Sequence, residues 1–329
     1  MVGRSIRLVL GRTISAALRA ACLLLLLAGC QPPATQPLRI AVLPILDTLP
    51  LYVAEAEGYF AEQGVAVEFV PVASAAERDQ LLQAGQVDGV ITDLVALALY
   101  NRDAPRVAAV RYAMTPTSEH AQFRILAAPN LGVATPDELH GAAIGVSKGT
   151  VVEYVTQRLL AAEGIAAAEV ALVAVPKIAD RMALLTAGEL TAATLPEPLA
   201  SLAMQQGAVA VLDDTLYPGV DSSSSLSCSV YAFRQAALEA QPAAVRGVMA
   251  AVQRASEAIN ADPRRWQDLL IEKDLLPQPL AGAFPVPHYP GNEAPTPSQF
   301  QDVVRWLQTT GALTDAPTYE ASVTTDFVE

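Results

Sequence analysis

The sequence predicts an α/β protein of two similar lobes, each a parallel-rich sheet covered by helices. Three observations carry this expectation. From residue 38 onward, short apolar runs alternate with helical patterns, an order that builds parallel sheets with helices on both faces. The same phrases return about a hundred residues later. The chain has 329 residues, 52% of them hydrophobic, with a mean hydropathy of +0.32. That suits two domains with a sizeable core and excludes disorder.

The first thirty residues read as an address outside the fold. Arg4, Arg7, Arg12 and Arg19 form a positive segment without acidic residues. The run 20–27 is apolar, contains five consecutive leucines, and leads into Leu27-Ala28-Gly29-Cys30. It is shorter than the roughly 20 residues that span a bilayer and has the charge and length of an export signal. Its last four residues resemble the bacterial lipobox. That resemblance implies an extracytoplasmic protein cut before Cys30, with the cysteine carrying diacylglyceryl and palmitate-type chains as a lipid anchor in the bilayer. A plain secretory signal with an incidental cysteine is the alternative. Residues 31–37 (QPPATQP) suit a tether.

Loss of residues 1–29 removes four arginines and takes the net charge from −13 to about −17. A nucleic-acid partner is therefore not expected. Cys228 becomes the lone free thiol, with no partner for an intramolecular disulfide. It reads as a small buried residue.

Each element follows from the pattern. Residues 38–43 (LRIAVL) read as a buried strand, and 49–63 as a helix stopped by Gly64. Strand 65–70, helix 75–84 ended by Gly85, and strand 87–91 come next. Asp93 stands at an N-cap position. Ile40-Ala41-Val42, Tyr52-Val53 and Gly64-Val65 are echoed by Ile144-Gly145-Val146, Tyr154-Val155 and Gly164-Ile165, at offsets of 104, 102 and 100. Ala84-Gly85 before strand 87–91 is echoed by Ala187-Gly188 before strand 190–194, at an offset of 103. A near-constant offset with matching order predicts a duplicated architecture.

A third region is mostly helical. A polar run at 222–227 precedes strand 229–233, a long helix covers 242–260, and Pro263 reopens a helix containing Trp266. Residues 276–297 hold seven prolines, and a last helix at 296–310 carries Trp306. Such a tail is expected to pack back on the first lobe. The expected boundaries are a discontinuous first lobe of 38–115 and 230–329, and a second lobe of 116–229.

At this point the phrases carry a resemblance. Residues 43–53 (LPILDTLPLYV), Glu57-Gly58-Tyr59-Phe60 and Gly64-Val65 resemble the opening of bacterial ABC-transporter substrate-binding proteins, in the subset for nitrate, sulfonates and thiamine precursors. Asp137-Glu138-Leu139-His140-Gly141 with residues 144–149, Leu195-Pro196-Glu197-Pro198, and Gly85 with Asp88-Gly89 match further phrases in the right order. The resemblance covers residues 38–235. It implies the two-lobe type II periplasmic-binding-protein fold, with a cleft between lobes that closes on a ligand by hinge motion. It also implies a small-molecule ligand, a permease and its ATPase as partners, no cofactor and no catalytic residue. The pyrimidine-synthase and menaquinone-pathway enzymes that share this fold are the non-transport alternative.

In such folds ligands meet loops at the carboxyl ends of strands and helix N-termini with unpaired N–H groups. The candidate ligand-binding residues are Asp47, Thr48, Tyr52, Asp93, Tyr112, Ser147, Thr150, Tyr154, Glu197 and Ser225. Each also has a structural reading. Asp47, Thr48 and Asp93 precede helices as caps would, and the tyrosines stack on a ligand or simply pack. Lys148 reads as solvated, and His120, His140 and His288 are too scattered to imply a metal. Asp47, Asp93 and Glu197 against Arg111 and Lys148 favour a neutral or cationic ring. A thiamine pyrimidine precursor or riboflavin suits this better than sulfonate or nitrate, because an anion beside buried carboxylates is costly.

Overall fold

The computed structural model describes residues 36–215 and 228–327. The Cys30 anchor, Ser225 and the polar run 222–227 lie outside the described residues. The apolar LRIAV run forms strand β1 (Leu38–Val42), buried along almost its whole length. One helix was expected over 49–63, but Gly58, at φ +74°, divides it into α1 (Leu49–Ala56) and α2 (Tyr59–Glu62). The left-handed conformation that glycine accepts ends the first helix there. Strand β2 (Val67–Pro71), helix α3 (Ala75–Gln83), strand β3 (Gly89–Asp93), helix α4 (Leu94–Tyr100) and strand β4 (Val107–Met114) follow.

The sequence then leaves for a second sheet. It contains β5 (Phe123–Ala127), β6 (Ala143–Val146), helix α5 (Val151–Ala162), β7 (Ala171–Ala174), helix α6 (Ile178–Thr186), β8 (Ala192–Pro196), helix α7 (Leu199–Gln205) and β9 (Val209–Asp213). Strand β10 (Ser229–Arg234) returns to the first sheet, followed by α8 (Gln235–Ala240), α9 (Pro242–Ala261), α10 (Gln267–Glu272), α11 (Pro297–Thr309) and α12 (Tyr319–Ser322). Among the described residues, no helix is long and apolar enough to cross a membrane.

The strand orders are β2-β1-β3-β10-β4 and β7-β6-β8-β5-β9. In each sheet one strand runs against the others: β10 between β3 and β4, and β5 between β8 and β9. Both are the first strand after the chain crosses from the other sheet. The duplication therefore extends to topology, and it reaches side chains. Arg78 on α3 donates Nη1 to the Ile91 carbonyl at 3.0 Å, and Arg181 on α6 donates Nε to the Thr194 carbonyl at 2.8 Å. Donors and acceptors are both displaced by 103 positions, the offset of the Ala-Gly phrase.

The apolar residues divide into three clusters. One lies between the first sheet and α1 and α9, where Val245, Val248, Val252, Ala255 and Ile259 recur at helical spacing. A smaller one lies beneath α6 and α7. The third joins Val90 and Val230 of the first sheet, Ile125 and Ile144 of the second, and Phe300, Val303 and Trp306 of α11. The tail thus packs against both sheets, whereas the sequence pattern assigned it to the first lobe.

Candidate functional site

After β1 the chain turns through a short 3-10 segment (Leu46–Thr48) before α1, with Pro50 in the first helical turn. Thr48 is fully buried and donates its hydroxyl to the Leu43 carbonyl at 2.8 Å, while its N–H donates to the Ile45 carbonyl at 3.1 Å. The turn closes on itself and presents Asp47 to a cavity of about 250 Å³. Asp47 is part-buried and lines this cavity. Burial raises its pKa above the ordinary carboxylate value. The Ser229 hydroxyl and the backbone oppose the rise and Asp93 adds to it, and no Lys or Arg is among the groups acting on it.

Asp93 ends β3 and caps α4, accepting the Ala96 N–H at 2.9 Å, so its capping role is real. It also lines the cavity. Burial raises its pKa, and Arg78 is the strongest opposing influence. Arg78, itself buried, lines the same wall and pairs with Asp79 at 2.9 Å. Tyr100 donates its hydroxyl to the same Asp79 carboxylate.

Glu197 enters from the opposite sheet, at the end of β8. Arg124 of β5 donates Nε to it at 2.8 Å and Nη1 to Asp213 at 2.5 Å. The second Glu197 oxygen accepts the Ser201 N–H at 3.0 Å. The Glu197 charge is therefore compensated, and the Asp47 charge is not. This contrast sets the electrostatics of the site.

The remaining lining is largely apolar. Ile91 and Met114 come from β3 and β4, and Ile45 from the turn after β1. Val151, Val152 and Ile178 come from the starts of α5 and α6, and Phe284, Pro285 and Pro287 from the tail. His120 also lines the cavity; burial pulls its pKa down, and His288 lies close enough to add to that effect. Among the described residues, no group of three or more His, Cys, Asp or Glu side chains is arranged to hold a metal ion. Cys228 lines the wall with its thiol pKa pushed up by burial.

Of the predicted residues, the structure brings Asp47, Asp93 and Glu197 together on one cavity. The other predicted residues that are described are engaged elsewhere. Tyr52 packs edge-on against Phe69 with ring centroids 5.4 Å apart. Tyr112 is buried and donates to Gln299 Oε1 at 2.6 Å, and Tyr154 donates to Asp302 at 2.8 Å. Thr150 caps α5, accepting the Val152 N–H at 3.2 Å and donating to the Ser147 carbonyl at 2.7 Å. The next two residues, Val151 and Val152, reach the cavity instead. Lys148 is exposed, and Arg111 is buried with its guanidinium on the Pro290 and Gly291 carbonyls at 3.1 Å.

Sequence reasoning missed Arg78, Arg124, Ser229 and the tail residues 284–287. The 103-residue offset linking Arg78 to Arg181 was available as a signal for the first. The proline-rich segment carried no signal of its place on the cavity.

The comparisons with known proteins agree with this architecture. The periplasmic aliphatic sulphonate binding protein SsuA from Escherichia coli is similar in structure, with a TM-score of 0.72 and 18% identity over 88% of this chain and 92% of that one. The ligand binding component of an ABC-type import system from Staphylococcus aureus, solved with zinc bound, gives 0.71 and 16% over 89% and 98%. The periplasmic nitrate-binding protein NrtA from Synechocystis PCC 6803 gives 0.68 and 15% over 90% and 88%. These likenesses establish the periplasmic-binding-protein fold. A search of curated protein sequences found no match. The model of the NMT1-like family matches residues 31–269, most of the described fold, and the chain belongs to the NMT1-like family.

Proposed function

We propose that the chain is the extracytoplasmic solute-binding component of an ABC importer. Acylated Cys30 holds it at the membrane, and it delivers a small polar organic nutrient to a permease, which in turn is its link to an ATPase. In this reading, residues 38–115 with 230–329 and residues 116–229 are two lobes that close on the ligand. Neighbouring folds that serve as import-system and solute-binding proteins support the transport role. We assign no catalytic residue.

The observation that carries the ligand assignment is Asp47, a carboxylate facing the cavity with no cation acting on it. A ligand N–H beside it replaces lost hydration, whereas a nitrate or sulfonate there adds repulsion to desolvation. Size narrows the class. A cavity of 150 Å³ holds one benzene ring, so one of about 250 Å³ takes roughly ten non-hydrogen atoms by the same ratio. An amino-bearing single ring, such as a thiamine pyrimidine precursor, fits that space. Sulfonate or nitrate remains the second reading, favoured by the neighbours' ligands alone. Mass spectrometry of protein purified under native conditions tests the assignment. A co-purifying amino heterocycle of about ten heavy atoms supports it; a sulfonate contradicts it.

A further inference from the structure

The tail contributes a wall to the cavity, and that wall is fixed to the turn bearing Asp47. Phe284, Pro285 and Pro287 line the cavity within a segment that returns from α10 across the first sheet. The segment is held at both ends. Gln267 donates to the Phe284 carbonyl at 2.9 Å. Asn260 grips Tyr289 reciprocally, accepting its N–H at 2.9 Å and donating to its carbonyl at 2.8 Å. Tyr289, fully buried, then donates its hydroxyl to the Leu46 carbonyl at 2.7 Å, one residue before Asp47. Leu46, Phe284 and Tyr289 share one apolar cluster.

We infer that the strap 284–289 is the size-determining wall of the binding site, and that Tyr289 is a positioning residue holding the strap and the Asp47 turn as one unit. The inference rests on the cavity being the ligand site, as proposed above. Proline fixes φ at positions 285 and 287, so this wall yields less than a glycine-rich loop would. A ligand substituent extended toward the strap meets Phe284, which lines the cavity there. The acid that recognises the ligand and the wall that limits it therefore share the Tyr289–Leu46 hydrogen bond.

Two measurements on the full chain test this separately from the ligand's identity. The first is residue-level hydrogen exchange on ligand-free Tyr289→Phe, which keeps the ring and removes the hydroxyl. Thr48 and Tyr289 amides are expected to exchange about five- to tenfold faster together, as loss of one buried hydrogen bond implies. Amides of α5 should stay unchanged. Faster exchange at Tyr289 alone, or at neither amide, overturns the coupling. The second compares wild type with Phe284→Ala on two matched pairs: 4-amino-2-methylpyrimidine with its 2-phenyl analogue, and methanesulfonate with benzenesulfonate. Phe284→Ala should shift preference toward the phenyl member at least tenfold in whichever pair binds. No shift in either pair overturns the size role. Binding of the sulfonates alone, with the shift present, removes the amino-heterocycle reading and leaves the strap assignment standing.

Discussion

Tyr154 of α5 donates its hydroxyl to Asp302 of α11 at 2.8 Å, tying the second sheet's helix to the C-terminal tail. Arg158 reaches the same carboxylate at 2.9 Å, and Trp306 donates its indole N–H to Gln157 at 2.9 Å. The Tyr154 and Trp306 rings meet edge-on at 5.5 Å. Helix α11 also packs on α4 of the first sheet through their shared apolar cluster. The tail is thus a connection between the sheets in addition to the two chain crossings.

Loss of the Tyr154 hydroxyl is therefore expected to show in stability. Tyr154→Phe is expected to lower unfolding free energy by about 0.5–1.5 kcal/mol, the net worth of one hydrogen bond. Asp302→Ala should lower it more, because Tyr154 and Arg158 both lose their partner. Urea denaturation measures both, and ligand affinity should stay within about twofold of wild type in Tyr154→Phe. A large affinity loss with unchanged stability would return Tyr154 to the binding site.

The fold was legible because its code is local and periodic. Glycines at 64, 85, 164 and 188 ended helices as expected, and the offset near 103 marked the second sheet. The helix break at Gly58 was not legible, because the apolar spacing continues across it. At the site, acids placed just after strands were found, since a strand's carboxyl end has a recognisable position. Arg124 and Phe284 were not, because the partners that place them are 73 residues away at Glu197 and 17 residues away at Gln267. Tyr112 and Tyr154 were ambiguous for the same reason: their partners, Gln299 and Asp302, lie in the distant tail.

Asp47 predicts a pH dependence of definite sign. Its folded pKa is raised, chiefly by burial, so the folded state holds this proton more tightly than the unfolded one. The ligand-free protein therefore loses stability as pH rises from about 4 through that raised value, with a limiting slope of about 1.36 kcal/mol per pH unit for one proton. Above it the loss is complete and constant. Asp47→Asn should flatten this decline and leave the empty protein at least as stable as wild type at pH 7. The Asp93 contribution remains, having the same sign. Urea midpoints between pH 4 and 8 measure it, and a less stable Asp47→Asn protein at pH 7 would show that Asp47 is favourably paired.

Glu197 should behave oppositely. Glu197→Gln leaves Arg124 with Asp213 alone and weakens the acceptor for the Ser201 N–H. Breaking such a part-buried pair is expected to cost about 1–3 kcal/mol, more than an exposed pair and less than a fully buried one. Thermal melting of the single variants Asp47→Asn and Glu197→Gln reads the contrast, and equal shifts of the same sign would refute it.

Anchoring is checked by Cys30→Ser. The variant should leave the membrane fraction and partition to the aqueous phase of a detergent separation, since stable attachment needs more than one acyl chain. Unchanged partitioning would leave the export segment without a lipid role.

The most direct test of the central claim is calorimetry of 4-amino-2-methylpyrimidine, nitrate and taurine on wild type and Asp47→Asn. The account predicts that the pyrimidine binds wild type and that Asp47→Asn weakens it by about tenfold to a hundredfold, the loss of a hydrogen bond to a charged acceptor. Nitrate and taurine should bind more weakly than the pyrimidine. Tighter binding of nitrate or taurine, unaffected or improved by Asp47→Asn, would contradict it.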